Sequence, residues 1–309
     1  MSTLTRELFR RKPVAPFTGE EDGEDGLKRT LGLLPLMMLG IGGTVGTGIF
    51  FVLNQAVPFA GPAVLVSFIV AGVVAGLTAI CYAELASSVP VSGSSYSYAY
   101  ATLGELPAMA VAACLMLEYG VSTAAVAVGW SEYLNQFLGN LFGVRLPDIL
   151  SLSPEQGGLI NLPAVILVLL CMLLLIRGVS ESTTVNTIMV FIKIGVLLLF
   201  AVIGLFGWNA NNFADFAPFG VAGITAGAGI IFFSFIGLDV IATAGDEAKN
   251  PQRNLPLALM GALVVVTAIY VITAVVAVAA QPWQDFEGQQ AGLSTILQNI
   301  TGSTWPGTL

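Results

Sequence analysis

Between Leu31 and Ala280 the chain is almost unbroken apolar sequence, divided into seven stretches: 31–59, 63–87, 106–138, 158–176, 185–208, 221–244 and 257–280. A bilayer core is ~30 Å thick and a helix rises ~1.5 Å per residue, so each stretch is long enough to cross it. Lipid offers the backbone no hydrogen-bond partner, so helices are what these stretches can form. Composition agrees: 56% of the 309 residues are hydrophobic and 10% are charged. The predicted fold class is an all-α polytopic membrane protein. A further apolar stretch begins at Trp305–Leu309, and the chain reads as C-terminally incomplete.

Charge narrows the function. The formal net charge is −8, which argues against a nucleic-acid partner, although the acidic run Glu20–Asp25 in the N-terminal tail carries much of it. There is no histidine, which excludes His-based catalysis and His-ligated metal, and no cofactor is implied. Cys81, Cys114 and Cys171 fall inside apolar stretches without a CxxC pair, so they read as small packing residues. Nothing in the pattern indicates an enzyme. Residues 1–30 are charged throughout and lack a signal-peptide cleavage site. They read as a solvated cytoplasmic tail, in which Leu4–Arg11 could lie on the membrane as an amphipathic helix.

Basic residues set the predicted topology. With the N-terminus inside, Arg6, Arg10, Arg11, Lys12, Lys28, Arg29, Arg177, Lys249 and Arg253 are cytoplasmic, Arg145 is outside, and Lys193 lies within the fifth span. The semi-polar 87–105 connection lacks basic residues and is expected to be a re-entrant or surface helix on the cytoplasmic side.

Two stretches resist a continuous helix. Leu39–Phe51, LGIGGTVGTGIFF, holds Gly40, Gly42, Gly43, Gly46 and Gly48 with Thr44 and Thr47. Each Gly costs roughly 1 kcal/mol in a helix interior. Non-helical backbone survives at membrane depth only in a protein interior or a wet cavity. Gly223–Gly245 is a second such stretch, with glycines before Phe232 and Phe233, then Ser234, Gly237 and Asp239. By helical rise both interruptions sit ~15–20 Å into the membrane, near its midplane. Paired Gly-interrupted spans point to a transporter. Half-helix N-termini carry about +0.5 charge and open N–H groups suited to a carboxylate. Gly72 and Gly76 instead fit small-residue packing. A phosphate loop is excluded, because no Gly-Lys-Ser/Thr follows.

GTVGTGIF (43–50), GPAVLVSFIVAG (61–72), CYAELASSVPVSGSSYSYAYATLGELPA (81–108), LEYGVS (117–122), FFSFIGLDVIATAGDEAKNPQRNLPLA (232–258) and LFRRKP (8–13) resemble the amino acid–polyamine–organocation permeases. The closest likeness is to bacterial relatives of cationic amino acid transporters. The resemblance implies a LeuT-like fold of two inverted five-helix repeats, with helices 1 and 6 unwound around the substrate. The expected division is a tail at 1–30, a first repeat at 31–208 and the start of a second at 221–309.

The same resemblance assigns roles. Thr44, Val45, Gly46, Thr47 and Gly48 would bind the substrate carboxylate through the backbone. Carbonyls of Phe232, Phe233, Ser234, Phe235 and Ile236 would bind the α-ammonium, with Phe233 or Phe235 as a lid. Lys193 matches a lysine of proton-coupled members that replaces a sodium ion, so the proton is the expected coupling ion. Glu118, near the midplane, would face the substrate side chain and favour a cationic one. Glu84, Asp239, Asp246, Glu247, Lys249 and Arg253 are candidate inner-gate residues, whereas Glu132 reads as solvated near the outer end. Asn254 with Pro256 marks the expected start of the seventh helix.

The expected function is secondary transport of amino acids through the lipid bilayer of a bacterial plasma membrane, proton-coupled or sodium-independent. An amino acid/polyamine exchanger is the alternative. A seven-helix receptor or retinal protein fits poorly, because the intramembrane lysine is in the fifth span and two spans are broken.

Overall fold

The computed structural model describes residues 9–11, 29–89, 91, 93–154, 157–176, 183–289 and 291–303. Most of the N-terminal tail, Arg177 and the apolar start at 305–309 lie outside these residues. Among the described residues the fold is helical, without a strand. In chain order the helices are α1 (Leu33–Thr44), α2 (Thr47–Ala60), α3 (Val64–Ser88), α4 (Ser94–Thr102), α5 (Glu105–Phe142), α6 (Asp148–Ser151), α7 (Leu162–Ile176), α8 (Thr183–Gly204), α9 (Gly220–Phe232), α10 (Val240–Thr243), α11 (Pro251–Ala280) and α12 (Gly292–Thr301).

Every predicted apolar stretch is helical, and five runs are long and apolar enough to cross a membrane. The first stretch is split into α1 and α2. α2 ends at Gly61, whose φ of 63° favours glycine, and a 3₁₀ turn at Gly61–Ala63 leads into α3. The semi-polar connection contains α4, as expected. The seventh helix starts three residues before the predicted Asn254. Pro251 occupies the first position, where its missing N–H and fixed φ suit a helix start. Asn250 precedes it at φ 45°. The Asn254 side chain donates to the Lys249 carbonyl instead of opening the helix.

The chain forms two compact units. One comprises the described residues up to Gly43 with Val74–Val121 and Ile236–Val265. Here the Leu31 N–H donates to Glu247 O at 3.0 Å and Lys249 N–H donates to Leu31 O at 2.8 Å, a single parallel bridge. Arg10 pairs with Glu105 at 3.2 Å. Gly104, at φ 109°, lets the Phe9 backbone pass where a Cβ would lie 2.9 Å away.

The other unit comprises Thr44–Val73, Ser122–Phe235 and the described residues from Val266 onward. Its centre is the pairing of α2 with α9. A Cβ on Gly227 would lie 2.9 Å from Ser67 Oγ, and that hydroxyl donates to Ile224 O at 2.8 Å. Gly72 meets Thr267 of α11 at 2.9 Å, so small-residue packing is its role. Tyr270 and Phe68 are fully buried and meet edge to face at 6.1 Å. The three cysteines are exposed rather than packed inside, as a soft apolar residue on an outward helix face can be.

Candidate functional site

α1 stops at Thr44 because the next residues leave the helical region. Gly46 is extended, at φ −119° and ψ −158°, and its N–H turns back to Thr44 O at 2.9 Å. α2 then begins at Thr47 with Gly46 as an N-cap that supplies no side-chain acceptor. The first amides of a helix have no partner within it. They carry the positive end of the helix dipole. On the facing element α9 ends at Phe232, and Phe233–Phe235 tighten into a 3₁₀ turn. The chain leaves this turn through Gly237, whose φ is 100°.

The two interruptions meet in the Thr44-to-Phe235 unit. A Cβ on Gly48 would lie 3.4 Å from both Cα and Oγ of Ser234. Ser234 is 2% exposed. Its Oγ has no hydrogen-bond partner among the described residues. An orphaned buried hydroxyl is rare and calls for a reason. Here it stands beside the open first turn of α2. One hydroxyl holds the pair together: Tyr270 of α11 reaches Thr44 O at 2.8 Å and Ser234 O at 3.1 Å. Phe235 is buried against the Tyr270 ring at 5.5 Å, whereas Phe233 is half-buried and pairs with Phe51 at 5.9 Å. Val45 is fully buried and Phe232 is exposed. The arrangement can present amide N–H groups and a hydroxyl to an anion beside turn carbonyls that accept from a cation.

Lys193 is half-buried on α8 in the same unit. Glu118, Glu84, Ile236, Asp239, Asp246, Glu247, Lys249 and Arg253 belong to the other unit. There the Tyr119 hydroxyl donates to Asp239 at 2.5 Å. Asp239 also lies within electrostatic reach of Glu118 and Tyr82. Glu84, Lys249 and Arg253 are exposed, and Asp246 and Glu247 half-buried. Gly43 packs against the Gly237 carbonyl, 3.0 Å from where its Cβ would be.

Glu132 departs from the solvated position expected of it. It is half-buried, and its carboxylate accepts the Ala291 N–H. The folded α12 segment, absent from the sequence reading, brings that amide to it. Tyr270 was also missed. Its signal is a tyrosine within an apolar span, whose buried hydroxyl requires a partner.

Residues 31–307 match the family described as amino acid permease. The chain is 41% identical to the methylthioribose transporter of Bacillus subtilis over 89% of its own length, covering 60% of that protein. It is 41% identical to the branched-chain amino acid permease BcaP of Bacillus subtilis over 96% of its length, covering 64% of it. It is 35% identical to human cationic amino acid transporter 4 over 99% of its length, covering 48% of that protein. The chain thus spans about half to two thirds of the length of these relatives.

Proposed function

The chain belongs to the amino acid permease family, and from that premise we propose that it carries amino acids across a membrane by alternating access. It is an integral, multi-pass membrane protein of all-α class. The observation that carries the proposal is the orphaned Ser234 hydroxyl beside the uncapped first turn of α2. A substrate carboxylate placed there would take N–H donors from Thr47 and Gly48 and the Ser234 hydroxyl. The α-ammonium would lie against the turn carbonyls of 232–235, with Phe233, the half-buried one of the two lid candidates, closing over it.

Coupling is assigned to Lys193. A lysine in a low-dielectric site can give up its proton, which an arginine does not. The proton is therefore the proposed coupling ion, with the N-terminus in the cytoplasm of a bacterial cell. Asp239, which takes the Tyr119 hydroxyl, is read as a gating group, together with Glu84 and the polar turn of Asp246, Glu247, Lys249 and Arg253. The relatives' names cover branched-chain and cationic amino acids and a methylthioribose, so substrate class is a matter for measurement.

The test is counterflow uptake by the full-length protein in proteoliposomes, with a panel of amino acids, two pH values, and sodium present or absent. Accumulation driven by an inward proton gradient and indifferent to sodium is expected. Lys193→Met should abolish gradient-driven accumulation while sparing exchange. Sodium dependence without a pH effect would overturn the coupling. Transport only in exchange for internal substrate would favour the exchanger. No uptake of any amino acid would overturn the function itself.

A further inference from the structure

α5 carries a glycine, Gly129, deep within its helical interior. Glycine weakens a helix interior relative to alanine, so its presence there calls for a reason in the packing. That reason is the Phe51 ring of α2. A Cβ on Gly129 would lie 2.9 Å from Phe51 Cδ1, 3.4 Å from Cε1 and 3.5 Å from Cγ. Phe51 stands one turn beyond Thr47 on the same face of α2, and helical side chains lean toward the N-terminus. Its ring therefore leans back over the first turn of α2, the one that Gly46 leaves uncapped. The same ring meets Phe233 at 5.9 Å, with the two planes tilted by 54°. Gly129, Phe51 and Phe233 thus form one chain of contacts, from α5 to the lid candidate next to Ser234.

Two features make this chain stiff. Tyr133, one turn further along α5, donates to Phe50 O at 2.7 Å and sets its ring edge to face on Phe50 at 5.9 Å. α5 cannot draw away from α2 without breaking that bond. Phe51 is only 9% exposed, so its ring has little empty space to turn into. Phe233 is half-buried and has room to move. A group added at position 129 would press Phe51 toward Phe233 and narrow the space beside the cradle.

We propose that Gly129 is a positioning residue for substrate size: by letting Phe51 lie back against α5, it leaves room beside the cradle for bulky amino acid side chains. Gly129 does not touch the substrate and acts through the two rings. The inference rests on the amino acid reading of the cradle. Backbone groups at 47–48 and 232–235 would grip the two ends that all α-amino acids share, so discrimination by size falls to the walls.

The test is competition binding on the purified full-length protein. It reads the affinity ratio of leucine to alanine and that of lysine to diaminopropionate, so that neutral and cationic side chains are both covered. In Gly129→Ala each bulkier member should lose ~10-fold against its smaller partner. Phe51→Leu should shift the ratios the other way and, combined with Gly129→Ala, should restore them. Gly227→Ala is as tight, at 2.9 Å from Ser67 Oγ, but lies off the ring pair, and it should leave the ratios alone. Unchanged ratios in folded Gly129→Ala, a shift that Phe51→Leu does not reverse, or an equal shift in Gly227→Ala overturns the proposal. Should Gly129→Ala fail to fold, unchanged ratios in Phe51→Leu overturn it equally. A wild type that binds no amino acid brings down the cradle reading and the size gauge together. A wild type that binds, with ratios indifferent to both substitutions, brings down the gauge alone.

Discussion

Ser234→Ala separates a binding group from a structural one. The Ser234 side chain is 2% exposed and its hydroxyl lacks a partner among the described residues. Burying a hydroxyl without compensation costs ~1–3 kcal/mol on mutational scales. Its removal should therefore leave stability unchanged or raise it by up to about that amount. The backbone is untouched, so the Tyr270 bond to Ser234 O at 3.1 Å persists. Binding should move the other way. A hydrogen bond to a charged group is worth about 1.5–3 kcal/mol, so affinity for an amino acid should fall roughly 10- to 150-fold at 1.4 kcal/mol per decade. The assays are thermal unfolding of the purified protein, with and without substrate, and equilibrium binding of a labelled amino acid. A loss of more than ~1 kcal/mol of stability with binding intact would refute the reasoning, because the hydroxyl would then have a structural partner.

Tyr270→Phe should show the opposite pattern in stability. It keeps the ring contacts with Phe68 and Phe235 but leaves a buried carbonyl short of its donor, a loss of about 1–3 kcal/mol measured by thermal unfolding. Gly46→Ala meets nothing within 4 Å and sits at an extended φ. Unfolding should therefore barely change, while a fall in substrate binding would place the ligand in that space. Gly72→Val, opposite Thr267 at 2.9 Å, should overpack the α3–α11 contact and cost about 1–3 kcal/mol without a specific effect on affinity.

Both interruptions are legible in the sequence, because glycine leaves a physical mark where a helix gives way. The break at Val45–Gly46 falls inside LGIGGTVGTGIFF, and that at Phe233–Asp239 inside the second glycine-bearing stretch. The helical class and the seven apolar stretches follow from hydropathy alone. Residues that act by long-range pairing are not legible in this way. Tyr270 lies 226 positions from Thr44, and no local pattern says which carbonyl its hydroxyl will find. Glu132 reads as solvated because nothing near it in sequence reveals that the 291 amide folds onto it. Nor does sequence separate Phe233, half-buried beside Phe51, from Phe235, locked against Tyr270. The start of α11 was displaced because Pro251 and the left-handed Asn250 fix it earlier than the Asn254–Pro256 signal.

The central claim is that the paired interruptions grip the two ends common to every α-amino acid. Competition binding on the purified full-length protein addresses it directly, comparing a transported amino acid with its α-methyl ester and its N-acetyl derivative. The ester removes the charge meant for the first turn of α2, and acetylation removes the charge meant for the turn carbonyls. Both derivatives should compete at least ~10-fold more weakly than the parent, each having lost a charged hydrogen-bonding partner. An ester that competes as well as the free acid would contradict the account.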